Sequence, residues 1–455
     1  MLTRSTGRRC GLPFGSVQCL LPQLALWQRF NVSCSRSVLR DGRPRRARHP
    51  AAMSRTAPIT ARLKGTNMQI QNTIAAARPS AVIERAELAG AFAKLTTVVE
   101  KRPHLPILAT ARVVAHGEFA RLSATDLDTE IHIDIPAAID ARFSLCLDAH
   151  KFADLLKKAP AADMVAFEAP EADDEKMAAD FERIRYSLPV LPSADFPDIS
   201  QDMVAAKVFE LDGRTFRDSL AAVEGAISTE ETRFYLNGVF IHRPDWTADG
   251  SAQLVMVATD GHRLYRQTIT APEGTEGMPG VILPRKLVGV LLKLWKGKAA
   301  PETVRLRVTG ERIELTWQGV RIVARPIDGT FPDYTRVIPM HNDNVAEFSA
   351  AAMLEAIKGL AAISPERGRA VRIEAAEGEP LRLSMIDPEN GTAETTLAAV
   401  YTGAPIEIGF RASQLAEILA EVGEPARAAM SDASGPVVIT GDRPGWTGVL
   451  MPMRV

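Results

Sequence analysis

The chain has 455 residues, 46% hydrophobic and 24% charged, proportions of ordinary globular protein that exclude a wholly disordered, collagenous or disulfide-stapled chain. Its formal charge of −1 conceals two unlike parts: residues 1–78 hold fourteen basic side chains and one acid, Asp41, a charge of +13, which leaves −14 on residues 79–455. A basic arm ahead of an acidic body makes a nucleic-acid partner worth testing, and no apolar run approaches the ~18 residues that a membrane helix needs.

The arm is rich in arginine and serine and lacks a lasting apolar period, so it is expected to be disordered on its own. Three origins fit it: an organelle transit peptide, a DNA-binding basic tail, and an over-extended reading frame whose true start is Met53 or Met68. Of four cysteines, Cys10, Cys19 and Cys34 lie in the arm. Cys146, alone in the body, can form no bridge there, which points to a reducing compartment.

In the body, Leu88, Phe92, Leu95 and Val99 place one apolar face along about three helical turns. Strand-like sequence follows with an acidic turn, LSATDLD around Asp126. A second helix is marked by Phe152, Leu155 and Leu156 and ends at Pro160, and the turn Phe196-Pro197-Asp198 closes the unit. The series then recurs. The first-helix stripe returns as Phe216, Leu220, Val223 and Ile227, and the acidic turn as VMVATDGHRL around Asp260. Leu287, Val290 and Leu291, followed by Gly297, and the turn Phe331-Pro332-Asp333 both lie 135 residues after their first copies. A third copy reads Met353, Ile357, Leu360 and Ile363, then LSMIDPENG around Asp387, then Leu415, Ile418 and Leu419 before Gly423. Two helices and many strands per copy predict an α+β body of three tandem units. The chain ends on the largely apolar run Val449 to Val455. Such an end is docked against the body. Its methionines suit a surface for several partners, and an ordinary terminal core strand explains it equally well.

The repeat also orders the cations. Lys151 and Lys158, seven apart on the second helix, recur as Lys286 and Lys293, with Arg285, Lys296 and Lys298 nearby; the third copy has Gln414 and Glu421 instead. First helices add Lys94, Lys101, Arg102, Arg214, Arg217, Arg233 and Lys358, with Arg367 and Arg369 beyond. Cations gathered on helices of an acidic body can form a face for phosphates, against the bland alternative of a solvated surface. No base-reading motif accompanies them, so contact with DNA is expected to be sequence-independent and salt-sensitive.

The common nucleotide-binding and catalytic signatures are missing. Asp126, Asp128, Asp260 and His262 form the best metal candidate, for a metal-dependent hydrolase. Asp126 and Asp260 are repeat equivalents, however, which symmetry holds apart, and an aspartate at such a turn ordinarily accepts hydrogen bonds from its own loop.

Several short segments in order, RPHLPIL at 102–108, ATDLD at 124–128, LPSADFPD at 191–198, FYLNG at 234–238, ATDGHRL at 258–264, LPRK at 283–286, DGTFPDYTRVIP at 328–339, EIGF at 407–410 and MPMRV at the end, carry a family resemblance. Residues 79–455 resemble the bacterial β sliding clamps, processivity subunits of the DNA polymerase III holoenzyme. The resemblance implies three tandem DNA-clamp domains, 79–205, 206–342 and 343–455, each with two helices on an antiparallel sheet and together half of a closed ring. It implies a head-to-tail homodimer around double-stranded DNA, with no catalytic residue, cofactor, metal or membrane association, in the bacterial cytoplasm at the nucleoid. The replicative polymerase catalytic subunit, an ATP-driven clamp loader, repair polymerases and mismatch-repair proteins are the implied partners. A non-replicative paralogue that scaffolds repair proteins is the alternative within the family.

The resemblance further implies a partner-peptide pocket of Leu236, Thr259, Gly261, His262, Arg263, Leu264, Pro332, Arg336, Val337, Val449, Met451, Pro452, Met453 and Arg454, with arginines at its rim. It places Arg102, Arg233, Tyr235 and Lys286 at DNA, to which the repeat adds Lys151 and Lys293. The implied dimer seam joins the first unit to the third, with Tyr186 and Leu188 facing Ile363. Glu230 stands where some relatives carry a neutral polar residue, and Phe234 where they carry tyrosine.

Overall fold

The computed structural model describes residues 78–160, 162–170, 175–199, 203–245, 250–339, 341–364 and 369–454. The readings made on the arm, on Arg367 and on Val455 lie outside the described residues.

The first domain begins with the strand Ser80–Glu84 and helix α1 (Arg85–Leu95). Strands Thr110–His116, Phe119–Thr125, Thr129–Ile139 and Phe143–Asp148 lead to α2 (Ala149–Lys158), after which Met164–Glu168, Lys176–Phe181 and Ile184–Leu191 complete the set. The second domain repeats the order around α3 (Gly213–Glu224) and α4 (Arg285–Leu294), and the third around α5 (Ala350–Leu360) and α6 (Ala412–Val422). The fold is thus the expected α+β triplication, with all described strand pairs antiparallel.

Local chemistry starts and stops the helices. Asp148, Asp212 and Ser349 accept hydrogen bonds from the amides of Lys151, Thr215 and Ala352 at the N-termini of α2, α3 and α5. The stripe residues Leu88, Phe92, Leu95, Phe216, Leu220, Val223, Met353, Ile357 and Leu360 are all buried. They pack each first helix on the second of its domain, as in the contacts Phe92–Phe152 and Phe216–Trp295, with ring centroids 4.8 and 5.9 Å apart. The fourth stripe residue overruns the helix in every copy. Val99 and Ile227 follow α1 and α3, and Ile363 sits in the short 3-10 segment Ala361–Ile363. In the first domain the β-branched run Thr96-Thr97-Val98-Val99 disfavours another turn, and the hydroxyls of Thr96 and Thr97 bond back to the carbonyls of Ala93 and Lys94.

The three acidic turns hold themselves in the same way. Asp126 Oδ1 accepts from the amides of Asp128 and Thr129, Asp260 Oδ1 from His262 and Arg263, and Asp387 Oδ1 from Glu389 and Asn390, at 2.6–3.1 Å. Each also faces a cation: Lys286 at Asp126, Arg263 at Asp260 and Arg369 at Asp387. These aspartates therefore build turns in three separate domains and do not converge on one site.

Sheets run through both seams inside the chain. Thr129–Ile133 of the first domain pairs with Ala324–Val320 of the second, and Arg263–Gln267 of the second with Leu450–Trp446 of the third. The seam strand in each case starts three residues after the turn aspartate. Side chains reinforce the joints. Lys286 reaches across to Asp126 Oδ2 at 2.5 Å and Glu100 Oε1 at 3.0 Å. Trp446 Nε1 donates to the carbonyl of Ala222 at 3.0 Å, at the end of α3. Glycine is required beside that tryptophan: Gly445 has φ +72°, and a Cβ there would stand 2.2 Å from the carbonyl oxygen of Thr268.

Candidate functional site

A groove of about 250 Å³ opens where the second domain meets the C-terminal strand. Its base is a separate apolar cluster that includes Leu236, Val257, Leu264, Phe331, Tyr334 and Val449. Val257 and Leu264 come from the paired strands Gln253–Thr259 and Arg263–Thr270, and Val449 from the C-terminal strand Trp446–Leu450 beside them. The Asp260 turn forms one rim. Gly261 lies there at φ +88°, in the left-handed region that favours glycine. Pro332 and Val337 form the opposite wall, and Val337 is left exposed. That wall is set from beneath by an aromatic stack: Phe331 lies on Phe240 at 5.0 Å, and Tyr334 shares a 2.9 Å hydrogen bond with His242.

The chain end is pinned twice. The Met451 amide donates to the carbonyl of His262 and the Met453 amide to that of Gly409, both at 2.8 Å. The tail thereby straps the second domain to the third.

Leu236, Thr259, Gly261, His262, Arg263, Leu264, Pro332, Val337, Val449 and Met451 all line this groove. Arg336, Pro452, Met453 and Arg454, expected with them, do not. Arg336 lies outside, bonded to Asp333 at 2.8 Å, and Met453 is drawn away to the sheet edge at Gly409. Arg233 and Tyr235, assigned by resemblance to DNA, stand on the groove wall. Arg233 meets Glu230, three residues earlier, in a two-bond fork at 2.8 Å each. The Arg233 hydrogen bond holds the Glu230 carboxyl below the usual glutamate range. Arg263 is largely buried between Asp260 and Glu417, a residue of α6 distant in sequence. A larger cleft of about 460 Å³ in the third domain, near Glu374, Glu379, Arg382 and Glu407, is polar and lacks such an apolar base.

The cations sort into two groups. Lys286 sits in the seam; burial opposes its charge, and the bonds to Asp126 and Glu100 outweigh that, so the ammonium titrates above the usual lysine range. Lys151 is bonded to its own helix cap, Asp148, at 2.9 Å. Lys293 and Arg102 are exposed and make no ion pair among the described residues, and the same holds for Lys158, the repeat mate of Lys293.

Tyr186 and Leu188 lie on the strand Ile184–Leu191, which pairs on one side with Lys176–Phe181 and on the other through Val190 and Leu191 alone among the described residues. Leu188 edges a small hollow with Leu147, Lys151, Phe152, Leu155 and Pro189. Ile363 is half-buried.

The three domains match the three family models of the DNA polymerase III beta subunit: N-terminal domain over residues 80–200, central domain over 210–333 and C-terminal domain over 335–454. The beta sliding clamp of Caulobacter vibrioides is 36% identical over 375 residues, which cover 82% of this chain and 99% of that protein. The beta sliding clamp of Escherichia coli K12 is 30% identical over 381 residues, with the same coverage. Among solved structures, the DNA polymerase sliding clamp from Caulobacter crescentus superposes with a TM-score of 0.78 at 35% identity, covering 83% of this chain and 100% of that one. A Bartonella birtlesii sliding clamp bound to griselimycin gives 0.77 at 33% identity, again covering 83% and 100%. Fold and groove together define a DNA-clamp protein. The chain belongs to the DNA polymerase III beta subunit family, the bacterial sliding clamps, and its function is that of a non-catalytic processivity factor in DNA replication.

Proposed function

We propose that two copies of this chain close head to tail around duplex DNA, first domain to third, and that the apolar groove docks peptide segments of the replicative polymerase catalytic subunit, the clamp loader, repair polymerases and mismatch-repair proteins. The observation that carries the ring is a pair of open strand edges. Gly391–Leu397 is the last strand of its sheet, and residues 184–189 lack a strand partner on their outer side among the described residues. These are the repeat equivalents of the strands that pair at both seams within the chain. The hairpin positions make Ile184 equivalent to Val320 and Leu188 to Ala324. The distance from the turn aspartate makes Asn390 equivalent to Thr129. The seam register then sets Leu188 opposite Asn390 and Tyr186 opposite Thr392 of the second copy, and brings Lys151 to its turn aspartate as Lys286 is brought to Asp126. Unsatisfied strand edges are a standing invitation to pair.

The division at 205/206 and 342/343 follows from the same repeat. Exposed Lys158, Lys293 and Arg102 are the better DNA contacts, while Lys286 and Lys151 belong to seams and Arg233 and Tyr235 to the groove. Retention on DNA then comes from topology, and weak phosphate contacts allow sliding. The setting is the bacterial cytoplasm, on nucleoid DNA. Sedimentation of the full chain at micromolar concentration tests the ring: a dimer is expected, and Leu188→Asp is expected to give monomers. A wild-type monomer at that concentration would contradict the closure.

A further inference from the structure

We infer that the Glu230–Arg233 ion pair makes the groove select uncharged peptide segments and disfavour carboxylate side chains; this rests on the reading of the groove as a peptide pocket. Arg233 lies across the groove mouth with its guanidinium against Gly261, so close that a Cβ built on that glycine would stand 2.4 Å from Nη1. A cation so placed would ordinarily receive a ligand carboxylate in a fork of two bonds. Here Glu230 already occupies that fork, with Nε donating to Oε2 and Nη2 to Oε1, both at 2.8 Å. The acid is itself held in place. Its amide donates to Ser228 Oγ, and its carbonyl accepts from Asn237 Nδ2, each at 3.1 Å.

Two neighbouring arginines are satisfied too, Arg263 by Asp260 and Glu417, and Arg336 by Asp333. An acidic ligand residue approaching Arg233 must therefore displace Glu230 or lie beside it as a like charge, whereas an uncharged one loses nothing. Glu230–Arg233 is open to change, with side chains 51% and 34% exposed, against 12% for Arg263 at the domain seam, and unlike the still more exposed Arg336–Asp333 pair its arginine lines the groove.

The test is a binding titration of the full chain with acetylated, amidated hexapeptides that share leucine and phenylalanine anchors. They carry either glutamine or glutamate, scanned through the non-anchor positions. Wild type is expected to bind the glutamine form roughly three- to fivefold more tightly at one position or more, the scale of an exposed ion pair. Glu230→Gln should erase that preference there while the glutamine peptides bind unchanged, and Arg233→Gln added to it should remove the gain. Raising the salt concentration should narrow the wild-type difference. Equal effects of Glu230→Gln on both peptide forms, or a wild type indifferent to the charge, would overturn the inference. Failure of every peptide to bind wild type would refute the peptide pocket itself, and the inference with it.

Discussion

Lys286 and Lys293 lie two turns apart on α4 and serve different ends. Lys286 neutralises Asp126, only 5% exposed, across the first seam, so Lys286→Ala strands a mostly buried carboxylate. Because the lysine itself is 42% exposed, solvent screening limits the expected loss to about 1 kcal/mol, read in a denaturant titration. Lys293→Glu should leave that titration unchanged and instead weaken DNA association at low salt, lowering the slope of log affinity on log salt by about 1. Equal stability losses from the two variants would contradict the division. A second residue-scale effect comes from His132. Burial first, then the charges of Arg321 and Arg121, push it down to about 4, and this outweighs the opposing charge of Asp198. Burial likewise lowers His242 to about 4. Between pH 6.5 and 4 the unfolded chain takes up protons that the native state refuses, so stability is full above about pH 6.5 and declines as pH falls towards 4. Replacing His132 with glutamine should flatten the decline of melting temperature over that window; an unchanged profile would remove His132 from the account.

Among elements, the C-terminal tail is both strap and wall. Deleting residues 451–455 removes the amide bonds to His262 and Gly409 and one wall residue of the groove. The expected result is loss of peptide binding with the dimer intact, because the proposed closure uses strands on other edges; dissociation into monomers would show that the tail carries the seam. The helices themselves were legible in the sequence because a 3.6-residue period is a local signal, and Leu88, Phe92 and Leu95 show it without reference to anything distant. Where the stripe ran on to Val99 the period misled, since threonine hydroxyls and β-branching end the helix by a different chemistry. The acidic turns were also legible, because an aspartate bonding two and three residues ahead involves only its own neighbours. The position of Arg233 was not: a long side chain goes where its partner is, and Glu230 and the space above Gly261 decide it. Glu417 is equally illegible locally, since its bond to Arg263 spans 154 residues.

Across the whole molecule, the repeat read from sequence determines how the domains join. Among the described residues, the same strand edge that pairs at Thr129 and at Arg263 is left open after Asn390, and its complement is left open at Leu188. A chain of three such units has two internal seams and one of each half to spare, which a second copy can satisfy at both ends. The near-zero total charge hides the arrangement this requires, with exposed cations such as Lys158 and Lys293 on second helices of a body that carries −14 overall. The central claim is that the protein stays on DNA by encircling it. The direct measurement is retention of labelled protein, loaded on a nicked circular duplex with clamp loader and ATP, before and after a restriction enzyme linearises the circle. The account predicts that protein remains on the circle through gel filtration and is lost once the DNA has ends. Equal retention on circular and linear DNA would contradict it.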